Sequence, residues 1–234
     1  MIRAYLFLTF FIPLTLIFAT SALLCTLFDN SGRLYAAHAR VWARISLAMA
    51  GAQVEMHGVE NIPRGPVIFM SNHQSNFDIL TMLAHMPVQL YWIAKKELFD
   101  IPVFGASIRR GGYIPLDRSD GRKALKSMDN AAAIIRAGKS VVMFPEGTRT
   151  KDLKLLPFKR GGFMLAVRAA VPVVPVTING TGLINPANRK RLYSGTISVF
   201  IHPPVQLPDN LSRSDAEGVL MEQVHSAISS RLEA

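Results

Sequence analysis

A histidine and an aspartate stand five positions apart in Asn72-His73-Gln74-Ser75-Asn76-Phe77-Asp78, directly after the apolar run Pro66–Met70. A helix turns about 100° per residue, so residues five apart face about 140° away from each other and cannot pair on one regular helix. They can pair if His73 lies in a loop and Asp78 in the first turn of the helix that follows. Asp78 would then accept the Nδ1–H of His73, fix its tautomer and leave Nε2 as a general base. The alternative is a loop histidine followed by an aspartate that only caps a helix. A second polar cluster, Phe144-Pro145-Glu146-Gly147-Thr148-Arg149, follows another apolar run, Ser140–Phe144. Pro145 and Gly147 set a tight turn. Arg149 offers a planar fork suited to a phosphate, and Glu146 can bond hydroxyls or hold the arginine. The bland alternative is a surface turn with a solvated Glu–Arg pair, worth little energetically.

Both clusters need strands to place them. Val67–Met70, Gln89–Ala94, Gly112–Leu116, Ser140–Phe144, Pro172–Ile178 and Thr196–His202 read as strands. Ile79–His85, Asp120–Ala137 and Gly161–Ala170 read as helices. Ser119 is placed to cap the long helix and Gly138 to end it. Ser214-Asp215-Ala216-Glu217 reads as a capping box opening a last helix to about Leu232. The alternation gives one α/β domain, a mixed sheet flanked by helices. In such sheets ligands bind beyond the carboxyl ends of strands, where both polar clusters fall. Asn179–Gly195, rich in Gly, Pro and Asn, reads as a long loop near the site.

These residues resemble a known family, the glycerolipid acyltransferases, and within it the 1-acyl-sn-glycerol-3-phosphate (lysophosphatidate) acyltransferases of bacterial type. The first signature of that family, N-H-x-x-x-x-D, is matched by Asn72, His73 and Asp78. The second is matched by Gly112-Tyr113-Ile114-Pro115-Leu116-Asp117-Arg118, with Pro115 where an aliphatic residue is usual. The third, F-P-E-G-T-R, is matched without change at Phe144–Arg149, and the fourth by Val171-Pro172-Val173-Val174-Pro175-Val176. Ala94-Lys95-Lys96-Glu97-Leu98-Phe99 and Pro157-Phe158-Lys159-Arg160-Gly161 are familiar linking segments, and the likeness runs from about Val67 to Ile178. The resemblance implies transfer of a fatty acyl group from an acyl-CoA or acyl carrier protein thioester to the sn-2 hydroxyl of lysophosphatidic acid, giving phosphatidic acid. It implies His73 and Asp78 as the catalytic pair. It also implies Lys95, Arg118 and Arg149 around the acceptor phosphate, in a pocket shaped by Glu146, Gly147 and Thr148. No metal or other cofactor is expected. Another lysolipid (a lyso-ornithine lipid, another lysophospholipid) or glycerol 3-phosphate as acceptor, and a non-catalytic lipid-binding protein, are the competing readings.

Composition agrees with work at a membrane. Half of the 234 residues are hydrophobic, mean hydropathy is +0.25, and 26 Lys and Arg against 16 Asp and Glu give a net charge of +10. That balance calls for anionic partners: a lipid surface, a phosphate, or nucleic acid. No nucleic-acid-binding signature is present, so nucleic acid is set aside. Cys25, the single cysteine, excludes an intrachain disulfide and a cysteine-ligated zinc. It lies in an apolar segment, where a thiol is a poor nucleophile. No G-x-S-x-G elbow occurs, which favours direct transfer without a covalent enzyme intermediate. From Ala4 to Phe28 the chain carries no charge and is long enough to cross a bilayer, with a bend expected at Pro13. Leu34–Ala50 follows as a second helix, with Arg40, Arg44 and Trp42 expected at the lipid interface. Residues 1–50 thus read as a two-helix membrane anchor that either spans once or dips into one leaflet and returns, the single-leaflet form being the one the resemblance favours. Residues 51–234 read as the catalytic domain, on the cytoplasmic face of the inner membrane. The remaining histidines, His38, His57, His85, His202 and His225, read as structural.

Overall fold

Unbroken apolar runs make the middle of the sheet. In the computed structural model, which describes residues 1–117, 120–187, 191–207 and 210–233, β2 (Ile68–Ser71) and β6 (Val173–Asn179) are buried at every position, as strands covered on both faces must be. The seven strands run in the order β1-β7-β6-β2-β5-β3-β4, with β1 (Ala52–His57), β3 (Leu90–Lys95), β4 (Ile114–Leu116), β5 (Ser140–Met143) and β7 (Gly195–Ile201) completing the set. All neighbours are parallel except β6 and β7. This is the mixed α/β sheet that the sequence pattern leads one to expect.

Helices cover both faces. Side chains alternate along a strand, so Phe69 faces one layer and Ile68 and Met70 the other. The first layer holds α1 (Ile2–Cys25), α2 (Arg33–Met49), α3 (Phe77–His85) and α4 (Phe104–Arg110). The second holds α5 (Gly121–Arg136), α6 (Arg160–Ala169) and α8 (Arg213–Ser229), with the short α7 (Thr181–Ile184) near the carboxyl end of β6. Buried Leu220, Val224 and Ile228 of α8 join Phe163 and Leu165 of α6 in the second core.

Three expectations change in detail. β1 is an additional edge strand, and α4 and α7 are additional helices, α7 rising inside the segment expected as loop. Asp120 caps α5, its side chain accepting from Arg122 N; Ser119 lies outside the described residues. Ser212, not Ser214, caps α8, accepting from Asp215 N while its hydroxyl donates to the Asp215 carboxylate.

The N-terminal hairpin lies along the domain. At one end Arg3 donates to Ala50 O (2.7 Å) and Ser194 Oγ (3.3 Å). Midway, Phe7 packs on Phe77, and Phe11 and Thr15 meet Trp42. Beyond α1, Gly32 O, at the start of α2, accepts from Gln89 Nε2. Two of the α2 arginines find partners in the domain. Arg40 donates to Met86 O and Arg44 to Ala84 O, neutralising the negative carbonyl end of α3. The outer face of α1 remains apolar and exposed, at Ile2, Leu6, Phe10, Ile17 and Leu24 among others.

Candidate active site

The sheet brings the polar motifs together. β2, β5, β3 and β4 are consecutive parallel neighbours, so their carboxyl ends share one edge. His73 follows β2, Glu146 to Arg149 follow β5, Lys95 ends β3 and Asp117 follows β4. Arg118 lies outside the described residues.

Asp78 stands in the first turn of α3 and is fully buried. Its Oδ2 accepts His73 Nδ1–H at 2.7 Å and the backbone N–H groups of Gln74 and Ser75 at 2.8 and 2.9 Å. Its Oδ1 accepts the hydroxyl of Thr181, at the start of α7. A buried carboxylate requires such donors, and here four of them also fix its direction. Aspartate acts as an anchor for the whole loop rather than as a cap alone. His73 Nδ1 is thereby the protonated nitrogen, and Nε2 makes no hydrogen bond among the described residues. The imidazole stacks on Phe144, ring centroids 3.8 Å apart and planes within 6°. Its side chain keeps 14 % exposure.

The loop after β5 grips the backbone of His73 from both sides. Glu146 Oε1 accepts His73 N–H at 2.6 Å, and Thr150 N–H donates to His73 O at 2.9 Å. The other oxygen of Glu146 accepts Leu156 N–H at 2.9 Å. Glu146 is therefore a brace between two loops: it is 2 % exposed and makes no ion pair with Arg149 among the described residues. Burial is the largest influence on this carboxyl and raises its pKa to about 7. Gly147 has φ +72, and Lys159 Nζ lies 3.0 Å from where a Cβ would be. The backbone disfavours a side chain there, and one would have to push the lysine aside. Thr148 and Lys95 are exposed and Arg149 is half-buried. Arg160 instead pairs with Glu217 of α8 at 3.0 Å.

Asn72, Thr150, Thr181 and Phe144 complete the support. Asn72 Nδ2 donates to Ile178 O and its Oδ1 accepts Ile178 N–H, both at 2.8 Å, so its amide closes a gap in the sheet where β2 leaves β6. Asn72 and Phe144 carry a sequence signal, since they belong to the two motifs. Thr181 and Thr150 carry none. The arrangement can take a proton at Nε2 of an oriented imidazole whose developing charge faces a buried carboxylate.

Comparison with known proteins gives the family. Residues 53–179 match the family model described as acyltransferase. A chloroplastic 1-acyl-sn-glycerol-3-phosphate acyltransferase of Brassica napus is 39% identical over 170 residues, 71% of this chain and 49% of that protein. The 1-acyl-sn-glycerol-3-phosphate acyltransferase of Saccharomyces cerevisiae is 31% identical over 207 residues, 87% of this chain and 68% of that one. The chain spans about half the length of the Brassica and Arabidopsis chloroplast proteins it matches. The crystal structure of the 1-acyl-sn-glycerophosphate acyltransferase PlsC from Thermotoga maritima superposes with a TM-score of 0.80 at 26% identity, covering 100% of this chain and 99% of that one. A sheet edge that orients one histidine through one buried aspartate, in a chain matching these proteins over its catalytic half and beyond, places it in the acyltransferase family, among the 1-acyl-sn-glycerol-3-phosphate acyltransferases.

Proposed function

We propose that this chain acylates the sn-2 hydroxyl of lysophosphatidic acid from an acyl-CoA or acyl carrier protein thioester, releasing phosphatidic acid and the thiol. The observation that carries the mechanism is the 2.7 Å contact between His73 Nδ1 and the buried Asp78. His73 Nε2 takes the proton of the acceptor hydroxyl as its oxygen attacks the thioester carbonyl. Asp78 stabilises the imidazolium, and the proton passes to the leaving thiolate. The oxyanion is left to backbone N–H groups near Gly147 other than its own, which donates to Phe144 O at 3.0 Å. Lys95, Arg149 and, by the family signature, Arg118 receive the acceptor phosphate; Thr148 borders them.

The N-terminal hairpin supports membrane attachment through one leaflet. α1 has 24 residues and a mean hydropathy of 2.1 over its best window; at about 1.5 Å per residue it could cross a bilayer. Yet Arg3 ties its start to the domain, and the turn after it is tied at Gly32. A helix held at both ends along one domain face lies in the plane of the lipid with its outer apolar side immersed. This supports residues 1–50 as the anchor and 51–234 as the catalytic domain; the cytoplasmic face of the inner membrane is part of the proposal.

Purified protein given labelled oleoyl-CoA with lysophosphatidate or with a phosphate-free monoacylglycerol tests the reading. Labelled phosphatidate from the first acceptor alone is the expected result. Equal use of both acceptors removes the phosphate pocket. No product with either, after the donor is exchanged for acyl carrier protein, refutes the reaction.

A further inference from the structure

The segment between β3 and α4 exposes apolar side chains that folding could have hidden. A 3-10 turn over Lys96–Asp100 tucks in only Phe99, at 5 % exposure, while Leu98, Ile101 and Val103 stand 39, 45 and 38 % exposed. The backbone is forced into that display. Val103 has φ 63 and ψ −58, and Phe104 N–H donates to Pro102 O at 2.6 Å. This is a γ-turn of the rare positive-φ kind, unfavourable for a β-branched residue. Such strain marks functional positions when the surroundings hold it. Here Gly105 N–H donates to Ile101 O at 2.7 Å, and a Cβ on Gly105 would lie 2.3 Å from Phe99 O. The turn is thus fixed in shape.

Two features indicate what covers it. Four exposed cations, Lys95, Lys96, Arg109 and Arg110, surround it against two exposed acids, Glu97 and Asp100; Lys96 pairs with Asp117 at 3.2 Å, and Arg109 is braced over the Phe99 ring at 5.4 Å and donates to Phe99 O. The helix that follows it, α4, packs on α1. Phe104, Ser107 and Ile108 of α4 share a cavity of about 100 Å³ with Phe18, Ala19 and Ala22 of α1. Apolar tips within a collar of net positive charge fit an anionic bilayer surface.

We propose that the Leu98–Val103 turn is a second membrane-inserting element, seated in the same leaflet as α1. It rests on the membrane reading above. It sets the depth of the catalytic edge, because Lys95 stands three residues before it: the side chains of Leu98, Ile101 and Val103 enter the acyl region while Lys95, Glu97 and Asp100 stay among headgroups, where a membrane-borne acceptor presents its phosphate.

The test uses the full chain in a Cys25→Ser background, with single cysteines carrying an environment-sensitive fluorophore at Ile101→Cys, Ile17→Cys on α1 and Glu222→Cys on α8. The proteins are reconstituted in phosphatidylethanolamine–phosphatidylglycerol vesicles. The probe at 101 is expected to shift to the blue and to be quenched by spin-labelled acyl chains, like that at 17. Aqueous iodide should reach only 222. Iodide quenching at 101 equal to that at 222 overturns the proposal; if 17 is equally open, the membrane reading falls with it. Shielding at 101 that requires an added acidic carrier protein assigns the turn to a protein partner and also overturns it. Catalysis is not needed for this readout. Separately, Ile101→Asp with Val103→Asp is expected to lower turnover of vesicle-borne acceptor about tenfold, with turnover of a soluble short-chain acceptor unchanged. Equal loss on both acceptors contradicts a membrane role.

Discussion

Asp78→Asn replaces one carboxylate oxygen by an NH2 group, and the hydrogen bonds decide which. Oδ2 receives three N–H donors and Oδ1 one hydroxyl. An amide nitrogen in the Oδ2 position would face three donors, and each buried N–H left without an acceptor costs about 1–3 kcal/mol. In the Oδ1 position it faces Thr181 Oγ1, which can accept. The amide oxygen therefore keeps the Oδ2 position, and His73 keeps its Nδ1–H tautomer. In the serine-protease triad the same substitution sets the wrong tautomer and lowers kcat about 10⁴-fold. Here only the charge opposite the imidazolium is lost. A charge-assisted bond exceeds its neutral counterpart by about 1–1.5 kcal/mol, or about 5- to 13-fold in rate. The assay is kcat with saturating lysophosphatidate and oleoyl-CoA, with the thermal transition measured in parallel. A loss near 10⁴-fold in folded protein would refute the tautomer argument. A loss below about threefold would show that Asp78 only holds the loop.

Thr181→Val removes the hydroxyl donor to Asp78 and should lower kcat about tenfold with acceptor KM unchanged; in the Asp78→Asn background its effect should be non-additive, since the same hydroxyl then serves as acceptor. Glu146→Gln should change the pH dependence of stability. The Glu146 pKa is raised from 4.5 to about 7 on folding, so the folded state holds the extra proton between those values. Its contribution is present below about 4.5 and lost as pH rises through about 7. Thermal unfolding should show wild type losing ground to the glutamine variant across that window; a constant difference contradicts the linkage. Arg149→Ala should raise acceptor KM about tenfold and leave donor KM unchanged, and equal rises would remove it from the phosphate site.

Local patterns revealed most of the sheet. β2, β5 and β6 are apolar runs bounded by turn residues, and they form within a residue or two of expectation. β1 was not legible because Ala52–His57 alternates half-buried and exposed positions with Gln and Glu among them, as a short edge strand does. α4 carries Gly105 and Ser107, poor helix formers, and is held by packing against α1 and the Phe99 turn. The His73–Asp78 pair was visible because its partners are five residues apart. The partners that orient it, Thr181 and Thr150, are 103 and 72–77 positions away in the chain or act through backbone, and no periodicity records such contacts. Arg40 and Arg44 look like interfacial arginines in the sequence. Only the fold shows the carbonyls of α3 in front of them.

The most direct test of the account removes the base alone. His73→Ala, shown by its thermal transition and vesicle association to be folded and attached, is compared with wild type for labelled phosphatidate formed from lysophosphatidate and oleoyl-CoA. The account predicts phosphatidate from wild type and a loss of kcat of at least about 10²-fold in the variant. Wild-type turnover in His73→Ala would contradict it.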